Sequence, residues 1–408
     1  MPAIQNIVPA EYEMRGKTMM YVLCKKIRFV TVAIFLSGHF LYNNAIAADN
    51  FYTGADLSYV NEMEDCGAVY RDKGEKVDPF TFFANQGTKL VRVRLWHNAE
   101  WTNYSDLDDV TKTLQRAKAN NMKTLLDFHY SDTWTDPEKQ FIPNAWAHIT
   151  DTNELAKTLY DYTIKTLSAL DKKNLLPDMV QVGNETNIEI LQPEKTIVHG
   201  IPNWQRNATL LNSGIKAVRD YSKTANKKIE IILHIAQPEN ALWWFKQAAE
   251  NGVKDFDIIG LSYYPQWSTY KLPQLPAAIN ELKTTYNKEV IIVETAYPWT
   301  LKNFDKAGNV LDQKAVQPEF PATAKGQLLY LLTLTQLVRK SGGLGVIYWE
   351  PAWVSTRCKT LWGRGSHWEN ASFFDATRHN NALPAFLFFN ATYTNNQNNT
   401  SKINHTNE

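Results

Sequence analysis

The chain has 408 residues, 44% hydrophobic and 21% charged, which is ample for a large core and too balanced a mixture for a disordered protein. Lys and Arg number 43 against 42 Asp and Glu, a formal net charge of +1. No basic field argues for nucleic acid, and a neutral polymer would need no charge steering.

Residues 1–47 read as an N-terminal extension and secretory signal peptide. Lys25, Lys26 and Arg28 precede the apolar run from Phe29 to Leu36, and Ala45-Ile46-Ala47 supplies a small-x-small cleavage site. The apolar run is too short to remain in a bilayer as a permanent helix. Met19 or Met20 is the more natural start for such a leader, and Cys24 lies on the wrong side of the run for a lipid anchor. The expectation is export to the periplasm, the cell surface or the medium, with no membrane attachment after cleavage. Residues 48–393 then form one domain, and residues 394–408, rich in Asn, Thr and Ser without apolar periodicity, form a disordered tail.

Strand-like apolar runs follow at residues 51–57, 90–96, 123–128, 178–184, 230–235, 257–262, 289–294 and 345–349. Helical periodicity fills residues 107–120, 153–172, 204–223, 240–251, 275–286 and 325–339. Eight strands alternating with helices predict a single (β/α)8 TIM barrel. An open doubly wound sheet would want a Gly-rich phosphate turn after its first strand, and Gly54-Ala55-Asp56-Leu57 does not supply one. Once the leader is gone two cysteines remain, Cys66 and Cys358, following the first and last strands. Those strands are neighbours in a closed barrel, so a disulfide and a pair of free thiols are both open readings. Two thiols alone cannot build a structural zinc site.

The strand C-termini are crowded with polar and aromatic groups. In chain order they carry Asp56 and Tyr59, then Arg92, Arg94 and Trp96, then Asp127, His129, Asp132 and Trp134. Asn184 and Glu185 follow the fourth strand and His234 lies on the fifth. Tyr263, Tyr264 and Trp267 follow the sixth, Glu294 ends the seventh, and Trp349, Glu350 and Trp353 follow the eighth. In a parallel barrel these gather at one rim, where such folds place their chemistry. Two carboxylates facing one cleft, Glu185 and Glu294, are the minimal equipment for cleaving a glycosidic bond. Arg92 and Arg94 share a strand face, and Arg94, nearer the strand end, is expected at the rim.

The segments Val91-Arg92-Val93-Arg94-Leu95-Trp96, His129-Tyr130-Ser131-Asp132-Thr133-Trp134-Thr135-Asp136-Pro137, Val182-Gly183-Asn184-Glu185, Glu294-Thr295-Ala296-Tyr297-Pro298 and Tyr348-Trp349-Glu350-Pro351-Ala352-Trp353 resemble glycoside hydrolase family 53, the endo-β-1,4-galactanases. The resemblance runs from about residue 51 to 387 and implies a retaining glycosidase, with Glu185 as acid/base and Glu294 as nucleophile. It implies substrate contacts from Asp56, Arg94, Trp96, His129, Asp132, Trp134, Asn184, His234, Tyr263, Tyr264, Trp267, Trp349 and Trp353. Arg94 and Tyr263 or Tyr264 are the expected hydrogen-bond partners of Glu294. The expected substrate is the β-1,4-galactan of pectin, met by a monomer that needs no cofactor. Bacterial members often hold a structural calcium after the seventh strand, where Asn303, Asp305 and Asn309 offer oxygens and Ala307 interrupts the series.

Three alternatives are weaker. A β-mannanase or β-glucanase of the same clan would share the glutamate pair, and only the aromatics and the loop from His129 to Trp146 favour galactan. A non-catalytic glycan-binding barrel usually loses one carboxylate. A metal-dependent hydrolase would want clustered histidines, which are scattered here.

Overall fold

A computed structural model describes residues 51–193, 202–361 and 363–395, and these belong to one compact unit that begins at Asn50. The leader and residues 396–408 lie outside the described residues. Eight parallel strands close into a barrel: β1 (Tyr52–Asp56), β2 (Leu90–Leu95), β3 (Lys123–Phe128), β4 (Met179–Val182), β5 (Glu230–Ala236), β6 (Ile258–Ser262), β7 (Glu289–Glu294) and β8 (Gly345–Tyr348). Each pairs with its neighbour in sequence, and β1 pairs with β8 to complete the ring. All eight strands sit where the sequence predicts them.

The helices are α1 (Val60–Asp65), α2 (Pro79–Asn85), α3 (Leu107–Ala119), α4 (Thr152–Asp171), α5 (Trp204–Thr224), α6 (Pro238–Glu250), α7 (Leu275–Tyr286) and α8 (Ala324–Lys340). Several begin where a short polar side chain satisfies a free amide of the first turn. Asp78, Asp106, Asp151, Asn203 and Thr323 accept from the N–H groups of Thr81, Asp109, Glu154, Arg206 and Gly326. The first two helices escape a periodicity reading because they are only six and seven residues long.

Alternation along the strands divides the core in two. Leu90, Leu125, Met179, Ile232, Ile258, Ile291 and Ile347 fill the lower barrel interior. The intervening residues, such as Val91, Val93, Leu126, Val180 and Leu233, face the helices in the larger cluster. Two residues further along the inward faces, apolar side chains give way to buried Arg92, Asp127, Gln181 and His234. A core that turns ionic towards one end of the barrel is arranged for chemistry at that end.

Segments near the two ends of the described chain meet. Strand residues Tyr70–Asp72 pair with Glu75–Val77 and with Asn381–Ala382 in a small sheet, and the Tyr70 hydroxyl donates to the Ala352 carbonyl at 2.8 Å. Cys66 and Cys358 are joined as a disulfide with Cα atoms 5.6 Å apart, which ties the loop after β1 to the loop after β8. Of the two readings left open by the sequence, the bonded one is found. Asn207, in the stretch Asn207-Ala208-Thr209, is fully buried and accepts from the Ile190 amide at 3.1 Å, which leaves it inaccessible as a glycan acceptor.

Candidate active site

A cleft of about 670 Å³ opens at the C-terminal ends of the strands and contains both Glu185 and Glu294. Its walls include Trp134, Asn184, Tyr264, Trp267, Trp349 and Trp353 from the predicted set, together with Asp136, Gln237, His367 and Trp368. A larger hollow, about 970 Å³, lies at the other end of the barrel among strand-starting residues such as Lys123 and Glu230. Its charges largely neutralise one another, for example Lys283 with Glu289 and Lys228 with Glu230, and it contains neither glutamate.

Backbone geometry explains how Glu185 reaches the cleft. Gly183 follows β4 with φ +84°, and a side chain there would press its Cβ to 2.5 Å from Thr186 Cγ2. Glu185 itself adopts φ +45°, a left-handed conformation uncommon for a residue with a side chain and found where function fixes the backbone. The Gln140 side chain holds this turn by donating to the carbonyls of Asn184 and Glu185 at 2.8 and 3.1 Å. Glu294 arrives differently, as the last residue of β7, paired with Ser262 of β6 across an irregularity in the register.

The two carboxylates have unlike surroundings. Glu294 receives Arg92 on Oε1 at 2.8 Å and the Tyr264 hydroxyl on Oε2 at 2.9 Å. Glu185 receives the Ser262 hydroxyl on Oε1 at 2.6 Å, and among the described residues no cation pairs with it. Burial raises the pKa of both. Glu294 is pushed up to about 7, with Arg92 and the Tyr264 hydrogen bond acting against the rise. Glu185 goes well above the ordinary carboxylate range, through burial first and the Glu294 charge second. Of the two, Glu185 is the one whose surroundings favour the protonated form more strongly.

Beneath the pair lies a dense ionic layer. Arg92 bonds Asp56 and Asp127 at 2.8 and 2.7 Å, besides Glu294, and donates to Asn184 Oδ1 at 2.8 Å. Asn184 completes its fixation by donating to the Thr135 carbonyl at 2.8 Å. Gln181 links Asp127 at 2.6 Å to His234 at 2.9 Å.

Several sequence expectations move inward or sideways. Arg94 does not touch Glu294. It pairs with Glu350 and lies under Tyr59 and Trp134, 4.2 and 4.4 Å from their ring centres, while Arg92, one turn of the pleat deeper, reaches the carboxylate. Arg92 is held among Asp56, Asp127 and Glu294, and Arg94 is taken by Glu350. Tyr263 turns its hydroxyl to the Tyr270 carbonyl, leaving Tyr264 as the partner of Glu294. Asp56, His129 and His234 are buried in the supporting layer and do not line the cleft. Trp96 is buried against Trp101 and Trp134, and Asp132 clamps a loop through the amides of Asn98 and Asn144. Trp134, Trp349, Trp353 and Trp368 do form an aromatic wall, with Trp349 at 5.7, 6.1 and 4.6 Å from the other three.

Sequence reasoning passed over Gln181, Ser262, Gln237 and Trp368. Gln181 carries a usable signal, a polar residue in the inward register of an apolar strand. Trp368 carries none, because its loop has no periodicity to place it.

The expected calcium ligands do not fit that ion. Asn303 donates its amide nitrogen to the Ala307 carbonyl, and Asp305 spends its two oxygens on the amides of Ala307 and Ser366. Only Asn309 Oδ1 is left buried and unbonded, and calcium wants six to eight converging oxygens. Among the described residues no group of three or more His, Cys, Asp or Glu is gathered for a metal.

Residues 52–389 match the model of glycosyl hydrolase family 53. A protein of Cellvibrio japonicus named arabinogalactan endo-β-1,4-galactanase is 78% identical over 86% of this chain and 94% of its own length. The endo-β-1,4-galactanase of Bacillus subtilis is 34% identical over 79% and 76%. Among solved structures, the GH53 catalytic domain of Ignisphaera aggregans superposes with a TM-score of 0.76 at 30% identity, covering 85% of this chain and 97% of that one.

Proposed function

The chain belongs to glycosyl hydrolase family 53, and on that premise we propose that it is an exported endo-β-1,4-galactanase that cleaves the galactan side chains of pectin with retention of configuration. It is a glycoside hydrolase. The observation that carries the mechanism is the unlike bonding of the two glutamates in one cleft, Glu294 to Arg92 and Tyr264, Glu185 to the Ser262 hydroxyl. A retaining enzyme wants carboxyls about 5–5.5 Å apart, one ionised and one protonated.

In the first step Glu294 attacks the anomeric carbon while Glu185 protonates the departing oxygen. Arg92 keeps Glu294 anionic before attack, and its own links to Asp56 and Asp127 prevent it from following the substrate. In the second step Glu185 takes a proton from water, which displaces the sugar from Glu294. Asn184, fixed through its Oδ1 and one amide hydrogen, has a second amide hydrogen for the sugar 2-hydroxyl, a contact that strengthens in the transition state. Trp349 and its neighbours offer apolar faces on which galactose rings can stack.

The galactan assignment is supported by the names of the relatives above and by the aromatic cleft. The protein would act as a monomer on a polysaccharide, with no nucleic acid or membrane partner. Product analysis on linear β-1,4-galactan, β-mannan and β-glucan tests it. Galacto-oligosaccharides are expected from the first alone. Their absence, or release of manno- or gluco-oligosaccharides instead, would overturn the substrate assignment.

A further inference from the structure

Ser262 and His234 are fully buried beside the cleft, and their hydrogen bonds determine each other. Ser262 Oγ lies 2.6 Å from Glu185 Oε1 and 2.8 Å from His234 Nε2. A hydroxyl has one hydrogen, so the direction of both bonds depends on whether His234 carries a proton at Nε2.

The surroundings of the other ring nitrogen decide this. His234 Nδ1 is approached by two donors, Gln181 Nε2 at 2.9 Å and the backbone amide of Glu185 at 3.3 Å. Asn184 Oδ1 is also near, at 3.0 Å, but it already accepts from Arg92 at 2.8 Å, and both Gln181 amide hydrogens go to Asp127 and Nδ1. A proton on Nδ1 would set hydrogens against hydrogens and strip the Glu185 amide of its acceptor. Nδ1 is therefore the acceptor and Nε2 the donor. A second proton is opposed, since burial and the Arg92 charge hold His234 well below the usual imidazole range. The chain of donors then runs one way: Gln181 to His234, His234 to Ser262, and Ser262 to Glu185.

We propose that Ser262, aimed by His234, is a positioning residue that keeps Glu185 Oε1 an acceptor, so that the catalytic proton is carried on Oε2 and delivered from there to the leaving oxygen. The inference rests on the acid/base role proposed above for Glu185. As the glycosidic bond breaks, its electron pair stays with the oxygen, which takes the proton from Oε2. Ser262 keeps its own hydrogen throughout. In the second step the proton removed from water returns to Oε2, because Oε1 is still engaged. The same oxygen thus serves both half-reactions.

The test compares Ser262→Ala, Ser262→Thr, Glu185→Ala and the Glu185→Ala/Ser262→Ala double variant, using pH profiles of kcat/KM on β-1,4-galactan and on an aryl galactobioside with a good leaving group. Ser262→Ala removes a hydrogen bond that favours the charged carboxylate. The alkaline limb on galactan should move up by about one pH unit and kcat/KM should fall about tenfold, with a much smaller fall on the aryl substrate. Ser262→Thr, which keeps the hydroxyl, should return the limb to its original position. In the Glu185→Ala background, losing Ser262 should change nothing further. An unmoved alkaline limb in Ser262→Ala, a limb still displaced in Ser262→Thr, or a further drop in the double variant would overturn the positioning role. Equal slowing of both substrates by Glu185→Ala alone would instead overturn the acid/base role beneath it.

Discussion

Tyr264→Phe isolates one interaction of the proposed nucleophile. The hydroxyl is buried and donates to Glu294 Oε2 at 2.9 Å, while Arg92 holds Oε1 from the other side. Removing it leaves the carboxylate in place with one partner fewer. A buried hydrogen bond to a charged group is worth about 1.5–3 kcal/mol, and each pKa unit corresponds to about 1.4 kcal/mol. The Glu294 carboxyl, already pushed up to about 7, should therefore rise by about one to two units. The nucleophile works only when ionised, so the acid limb of kcat/KM moves to higher pH by the same amount. One unit below the original limb the rate falls roughly 10- to 100-fold, and on the alkaline side the loss is much smaller. Initial rates of reducing-end release from β-1,4-galactan across the pH range give the profile. A limb that stays in place, or a loss equal at every pH, would refute the account of Glu294 given by its bonding.

Other consequences can be checked separately. Glu294→Ala should abolish turnover, with azide restoring part of it as the inverted product, identified by NMR of the released sugar; wild-type turnover would sink the nucleophile assignment. Glu185→Gln should stabilise the fold at alkaline pH. The folded pKa of Glu185 is raised, so its contribution is fully present below the unfolded value and is lost as pH rises through the folded one. Denaturant titrations at acid and alkaline pH should show the variant gaining on wild type only at the latter. Replacing Cys358 by Ser opens a link across 292 residues of sequence and should cost up to roughly 5–6 kcal/mol of stability on loop-closure grounds, read as a lower denaturation midpoint. An unchanged midpoint would show that the seam holds without it.

The barrel was legible because its strands are short apolar runs at regular spacing and its long helices carry clear periodicity. Glu185, Glu294 and Tyr264 were legible because each lies at or just beyond a strand end, where position in the barrel follows directly from order in the chain. Reach was not. Arg92 and Arg94 look alike in sequence, and only the placing of their carboxylate partners, Asp56 and Asp127 for one and Glu350 for the other, decides which one meets Glu294. Ser262 stayed hidden for a similar reason: a serine closing a strand has no pattern of its own until Glu185 folds back towards it. The left-handed backbone at Glu185 that allows this cannot be read from residue types, since glutamate has no preference for it.

The ionic layer under the cleft is overstocked with acid. Five carboxyls, those of Asp56, Asp127, Glu185, Glu294 and Glu350, lie at or just beneath the cleft floor, where the guanidiniums of Arg92 and Arg94 pair four of them. Such an interior is a proton reservoir by construction: it lies closest to electrical balance when some of its acids stay undissociated at neutral pH. Burial and the carboxylate of Asp56 likewise push Glu350 well above its ordinary range. On the proposed assignment, the proton that reaches the departing sugar is one the resting protein already retains to keep its own centre near neutrality. Substrate finds the acid loaded on arrival.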